Sequence, residues 1–261
     1  MRDGRRQATE PATETTMPHE DDKEAAGAIE PRIIFIIPGG EKRERDYFHF
    51  LEEEERKGRR TKVRVAFATE KKQGLNPPQI SKMAEDFIRN GRFKPSNDDP
   101  SISIQPGDII YLLQDMDEFE PQILKEMKSP IEQTQWIVSN PCFEIWLYYH
   151  KYSKTDKIIG ALAQDVSKRS QWLKNKLHTL EKGGFNPCTL HTKMKNATAN
   201  SLANYKVKAN GLPDVFSTQM HIVAQTLLAA MGSEFDDMIA RRKENASKFK
   251  EKYAAHKRAA R

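Results

Sequence analysis

The chain's 261 residues are 31% charged and 37% hydrophobic and carry a net charge of +6, which suits one large or two small domains with polar ends. No run approaches the roughly eighteen apolar residues of a membrane span, and the first residues lack the apolar stretch of a signal peptide, so a cytoplasmic protein with no membrane partner is expected. Two cysteines, Cys142 and Cys188, exclude a Cys-rich zinc site and read as reduced thiols, Cys142 as a small core hydrophobe in an apolar helical run.

Residues 1–30, rich in Thr, Glu, Pro and Ala without hydrophobic periodicity, are expected to form a disordered leader. Ile33-Ile-Phe-Ile-Ile37 is then a β-branched run bounded by Pro38-Gly39-Gly40, the pattern of a buried strand stopping at a glycine turn. Tyr47, Phe48, Phe50 and Leu51 follow at helical spacing, completing a strand, glycine loop and helix. Lys62 to Phe67 alternates apolar and polar residues, as a strand nearer a sheet edge does, and Ala68 to Gly74 would be the loop at its end. Pro77 opens an amphipathic helix carrying Ile80, Met83, Ala84, Phe87 and Ile88, and Lys94 to Gly107, with three prolines, reads as a surface loop.

The central stretch is Asp108-Ile-Ile-Tyr-Leu-Leu-Gln-Asp-Met-Asp117, an apolar run of strand length ending in two carboxylates one residue apart. Such a strand delivers Asp115 and Asp117 to its C-terminal edge, where open α/β sheets place their ligands. The bland reading is an acidic corner. The functional one is a cation site, because two close carboxylates repel each other and oxygen ligands suit Mg2+ or Mn2+.

Glu120 to Lys128 is a short helix, Thr134 to Val138 a fourth main strand, and Ser139-Asn140-Pro141 a helix-start signal ahead of Phe143, Ile145, Trp146, Leu147 and Tyr149. Strands alternating with helices predict an α/β fold, a mostly parallel sheet with helices on both faces. Its C-terminal edge would gather Gly39, Glu41, Lys71, Asp115, Asp117 and Ser139. Beyond His150 the pattern is helical, over 151–182, 196–208 and 217–231, forming an appended helical layer. From Ile239 onward, enough excess Lys and Arg accumulates to account for the whole positive balance, a basic helical tail over 232–261 that either contacts phosphates or extends into solvent. Gly39-Gly40-Glu41-Lys42 mimics the start of a phosphate loop but lacks its spacing and Ser/Thr, so the chain itself should not hydrolyse ATP.

Three blocks in this order carry a resemblance: Glu44-x-x-Tyr47-Phe48 after the glycine turn, Asp115-x-Asp117-Glu118-Phe119, and above all Ser139-Asn-Pro-Cys-Phe-Glu-Ile-Trp-Leu-Tyr-Tyr-His150. Together, with Ser217-Thr-Gln-Met-His221 as a helical finish, they resemble the RloB-like family, bacterial proteins found near restriction and anti-phage loci and expected to carry a Toprim-type fold. The likeness runs from residue 31 to residue 231. It implies a metal-dependent nuclease or phosphodiesterase in phage defence, acting with an ATPase subunit in trans. The family pattern Glu-Gly-x-x-Thr-Glu-x-x-Tyr-Phe is broken at its leading Glu, which here is Gly39, and at its Thr, which is Arg43. In Toprim enzymes that leading Glu is the acid or base, so the role passes to Glu41 or Glu44, or the site is degenerate and the chain only binds nucleic acid or docks a partner.

In the catalytic reading Asp115 and Asp117 hold the metal, and Glu144 ligates it or supports a ligand, against a purely structural role binding backbone or arginine. Lys42, Arg43, Lys71 and Lys72 lie on loops near the same edge and suit RNA or DNA phosphates, where solvated loop charge is the plainer reading. His150 reads first as a packing or capping histidine, and Ser139 and Asn140 first as the helix cap. Oligomeric state stays open, a homo-oligomer included.

Overall fold

The computed structural model describes residues 32–40, 42–56, 63–68, 74–95, 100–117, 119–182 and 184–259. The leader expected over 1–30 lies outside them. In chain order the first half runs β1 (Arg32–Pro38), α1 (Arg43–Arg56), β2 (Val63–Phe67), α2 (Pro77–Asn90), β3 (Arg92–Phe93), β4 (Ile102–Ser103), β5 (Ile110–Asp115), α3 (Glu120–Met127), β6 (Thr134–Ser139) and α4 (Glu144–Tyr149). A 3-10 helix (Asp156–Ala163) then leads to α5 (Val166–Leu180), α6 (Pro187–Leu190), α7 (Met194–Asn204), α8 (Met220–Met231) and α9 (Ser233–Ala259).

β2, β1, β5 and β6 form a four-stranded sheet in that order, every pair parallel, so the expected α/β architecture is the observed one. β2 lies at the edge. The loop expected over 94–107 contains a short antiparallel pairing of β3 with β4 instead of being wholly irregular.

Strand alternation divides the core. Ile34, Ile36, Tyr111 and Leu113 face α1, α4 and α8, packing on Tyr47, Phe48, Trp146, Val223 and Leu227. Phe35, Ile37, Ile110 and Leu112 face the other way, onto Ile80 and Ala84 of α2. By the same period Asp115 leaves β5 toward α1 and α4, while Gln114 leaves toward α2.

Several helical expectations need correction: the helix expected over 196–208 ends at Asn204, and the one expected over 151–182 is a 3-10 helix followed by α5. The helix expected from Ser217 begins only at Met220, because Ser217 to Gln219 runs along the outer edge of β6, with Thr218 bridged antiparallel to Ser139. Gln219 N–H donates to the Val138 carbonyl (3.0 Å), its Oε1 accepts from Val138 N–H (2.9 Å), and Asn140 N–H donates to the Ser217 carbonyl (2.9 Å). That strap closes an edge that would otherwise expose unpaired backbone. Ser139 and Asn140 consequently cap nothing: the Ser139 hydroxyl shares a hydrogen bond with Thr218 (2.7 Å) and the Asn140 amide donates to the Pro213 carbonyl (3.0 Å).

Helix α9 carries the basic tail. Its first turns bury Phe235, Met238 and Ile239 in the larger core, and Arg242 ties it to α1 through the Phe50 carbonyl (3.1 Å) and Glu53 (2.7 Å). Farther along, Phe249 is exposed.

Candidate metal centre

From β1 the chain crosses to β2 on one side, and from β5 it crosses to β6 on the other, so the gap between the C-termini of β1 and β5 is the switch point of the sheet. A cleft of about 360 Å3 opens there, lined by Gly39, Gly40, Gly74, Leu75, Asn76, Gln79, Gln114, Asp115, Asp117 and Phe119. Gly39 N–H donates to the Leu113 carbonyl (2.7 Å) and Leu75 N–H to the Gly39 carbonyl (2.8 Å), which fastens the glycine turn between β5 and the start of α2.

β5 ends at Asp115, and Asp117 follows in a turn at φ +28, a region that Asp tolerates better than most side chains. Asp117 N–H donates to the Pro141 carbonyl (3.1 Å), and Met116 N–H to that of Ser139 (2.8 Å), joining this turn to the one after β6. Asp115 Oδ1 accepts from Phe143 N–H (2.7 Å), taking the place at the start of α4 that a capping Ser or Asn would fill. Both carboxylates border the cleft.

Behind Asp115, on the α1 and α4 side, lies a buried acidic cluster. Ligand atoms of Asp115, Cys142 and Glu144 all lie within 4.8 Å of one another. Glu144 is only 3% exposed and meets Arg43 Nε at 3.4 Å. Glu44, on the first turn of α1, tucks its carboxylate beneath Gly40: a Cβ on residue 40 would lie 2.5 Å from it, so a larger residue there would displace that carboxylate. Burial pushes Glu44 up to about 7, reinforced by the charge of Glu144. Burial likewise holds Asp115 well above the ordinary carboxylate range, with Glu44, Glu144 and Asp117 adding to it. The Cys142 thiol is raised by burial and by Glu144 and Asp115. Lys174 of α5 faces this cluster; half-burial works against its charge, but Glu144 and Asp115 outweigh it and raise its pKa.

Such a concentration of carboxylates fits a divalent cation. Gln114 Oε1, buried and without a hydrogen-bond partner among the described residues, adds an oxygen at the same cleft. An anion is disfavoured at the start of α2, because Pro77 and Pro78 have no N–H and Gln79 N–H is taken by the Asn76 side chain (3.1 Å). The likeness to a phosphate loop fails for the same kind of reason, since Gly39 N–H is spent on β5.

Thus Glu44, Asp115 and Glu144 come together, with Asp117 beside them at the cleft. Glu41, Lys71 and Lys72 lie outside the described residues. Lys42 is exposed just before α1, whereas Arg43 turns inward to Glu144. Phe143 and Trp146 pack edge-on against Tyr47, with ring centres 6.0 Å away in each case, and Pro141 is buried. His150 sits between the Tyr47 hydroxyl and the Trp146 carbonyl, 2.9 Å from each, and burial lowers its pKa to about 3, so it is a neutral packing residue. Sequence reasoning missed Gln114, Lys174 and the place of Cys142 among the acids. For Gln114 a signal existed, a polar side chain on the otherwise apolar inner face of β5; Lys174 comes from a distant helix and left none.

No curated protein and no solved structure matches the chain. A family model described as RloB-like protein matches residues 34–227, and the chain belongs to that family.

Proposed function

We propose that the chain is a Toprim-type, Mg2+- or Mn2+-dependent nuclease or phosphodiesterase of a bacterial anti-phage system, working in the cytoplasm with an ATPase subunit. The observation that carries this reading is the pair Asp115 and Asp117 on the rim of a glycine-floored cleft at the switch point, backed by buried Glu44 and Glu144. Asp115 and Asp117 would hold the cation, which supplies neutralisation of the charge developing on the phosphoryl oxygens. Glu144 fixes Arg43 and keeps Asp115 in a strongly negative field. Glu44, poised at about 7, is suited to give or take a proton at neutral pH, the role that the resemblance gives to the leading Glu replaced here by Gly39. Lys42, with Lys71 and Lys72, would meet the nucleic-acid backbone and make binding salt-dependent.

A second reading, a degenerate member that binds nucleic acid or docks a partner, is favoured by Gly39, where no ionisable side chain stands. Cleavage of tRNA and DNA with Mg2+ or Mn2+, with and without the ATPase, separates the two. Cleavage is expected in the parent, lost in Asp115→Ala and slowed about 10^2- to 10^4-fold in Glu44→Gln. Nucleic-acid binding without metal-dependent cleavage in either setting gives the second reading.

A further inference from the structure

Gly39 and Gln114 form a matched pair. Gln114 rises from β5 over the glycine turn, and a Cβ on residue 39 would lie 2.4 Å from its Oε1 and 3.0 Å from the Leu113 carbonyl. The absent side chain at 39 therefore makes room for the amide of 114. That amide is 5% exposed, its Oε1 has no hydrogen-bond partner among the described residues, and it borders the cleft shared with Asp115 and Asp117. A buried carbonyl oxygen left unpaired is costly, and a cation or an ordered water at the cleft would satisfy it. Among the described residues lining the cleft there is no Lys, Arg or His to supply that partner. Amide carbonyl oxygens are good ligands for hard divalent cations.

We propose that Gln114 Oε1 is a neutral oxygen ligand, direct or through one water, of the divalent cation held by Asp115 and Asp117, standing in for a side chain at position 39. The inference rests on the metal reading of the cleft and goes beyond it by assigning a ligand outside the acidic set. An amide cannot transfer a proton, so the exchange separates metal binding at 114 from proton transfer at Glu44. It also means that Gly39→Glu alone does not rebuild the family pattern, because the new side chain meets Gln114.

The test is Mn2+ titration of the full chain, following the free-ion electron paramagnetic resonance signal, with thermal denaturation of each variant alongside. Gln114→Leu is expected to weaken Mn2+ binding about 10- to 100-fold while melting close to the parent. Gln114→Glu, which keeps the length and adds charge, is expected to tighten it at least about tenfold, as ligand charge sets affinity. Gly39→Glu alone should melt lower without binding more tightly, and Gly39→Glu with Gln114→Gly should regain both. Should Gln114→Leu and Gln114→Glu bind Mn2+ as the parent does while Asp115→Asn loses it, Gln114 is not a ligand and the metal reading survives. If the parent itself takes up no Mn2+, both fall.

Discussion

Replacing Asp115 by asparagine is expected to raise the thermal midpoint of the metal-free protein by several degrees at pH 7.5, while abolishing any stabilisation by Mn2+. Asp115 is held among Glu44, Glu144 and Asp117 with its proton affinity raised by burial and by those charges. Folding at neutral pH must therefore either bury another negative charge or bind a proton from dilute solution, and both are unfavourable. Asparagine removes that cost and keeps an oxygen for Phe143 N–H, whose bond to Asp115 is 2.7 Å. A gain of about 1–3 kcal/mol corresponds to roughly 3–10 °C for a domain of this size. A carboxylate with a structural task would behave oppositely, and a lowered midpoint in differential scanning calorimetry would show that Asp115 supports the fold.

The second large effect is in the pH dependence. Glu44 ionises near 4.5 when unfolded and is pushed up to about 7 by burial in the folded chain. Between those values the folded state holds a proton that the unfolded state has released, so its stabilising contribution is complete below pH ~4.5 and is lost as pH rises through about 7. Over that window the loss is about 3 kcal/mol from this group alone. A cation favours the ionised carboxylates, so the shift in melting temperature produced by Mn2+ should be larger at pH 8 than at pH 5.5. Glu44→Gln should flatten the metal-free profile. Denaturant titrations from pH 5 to pH 8, with and without Mn2+, read both effects, and a parent profile as flat as that of Glu44→Gln would contradict the burial of Glu44 in this acidic cluster.

Much of the fold is legible in the sequence because its signals are local. The apolar runs at Ile33–Ile37 and Ile110–Leu113, with glycine or carboxylates at their ends, mark buried parallel strands without any tertiary information. Ser139-Asn140-Pro141 misleads because its cap chemistry is diverted by a long-range partner, the strap at Ser217 to Gln219, which no local rule reveals. The same strap takes Thr218 and Gln219 out of the helix that periodicity suggests. In the candidate site, Asp115 and Asp117 stand out by composition alone, and Glu44 and Glu144 follow from family likeness and helix spacing. Gln114 and Lys174 do not, since their meaning depends on what lies across the sheet or beyond an intervening helix. Gly39 shows the limit most clearly. In sequence it is a missing Glu, and in three dimensions it is the space that Gln114 fills.

Anomalous diffraction from crystals grown with Mn2+, recorded at the manganese edge, addresses the cation directly. A peak is expected at the C-terminal edge of β5, within ligand distance of an Asp115 oxygen and bordering Asp117. No peak at that edge under saturating Mn2+, or binding only at surface acids elsewhere, would contradict a metal centre at the switch point of this sheet.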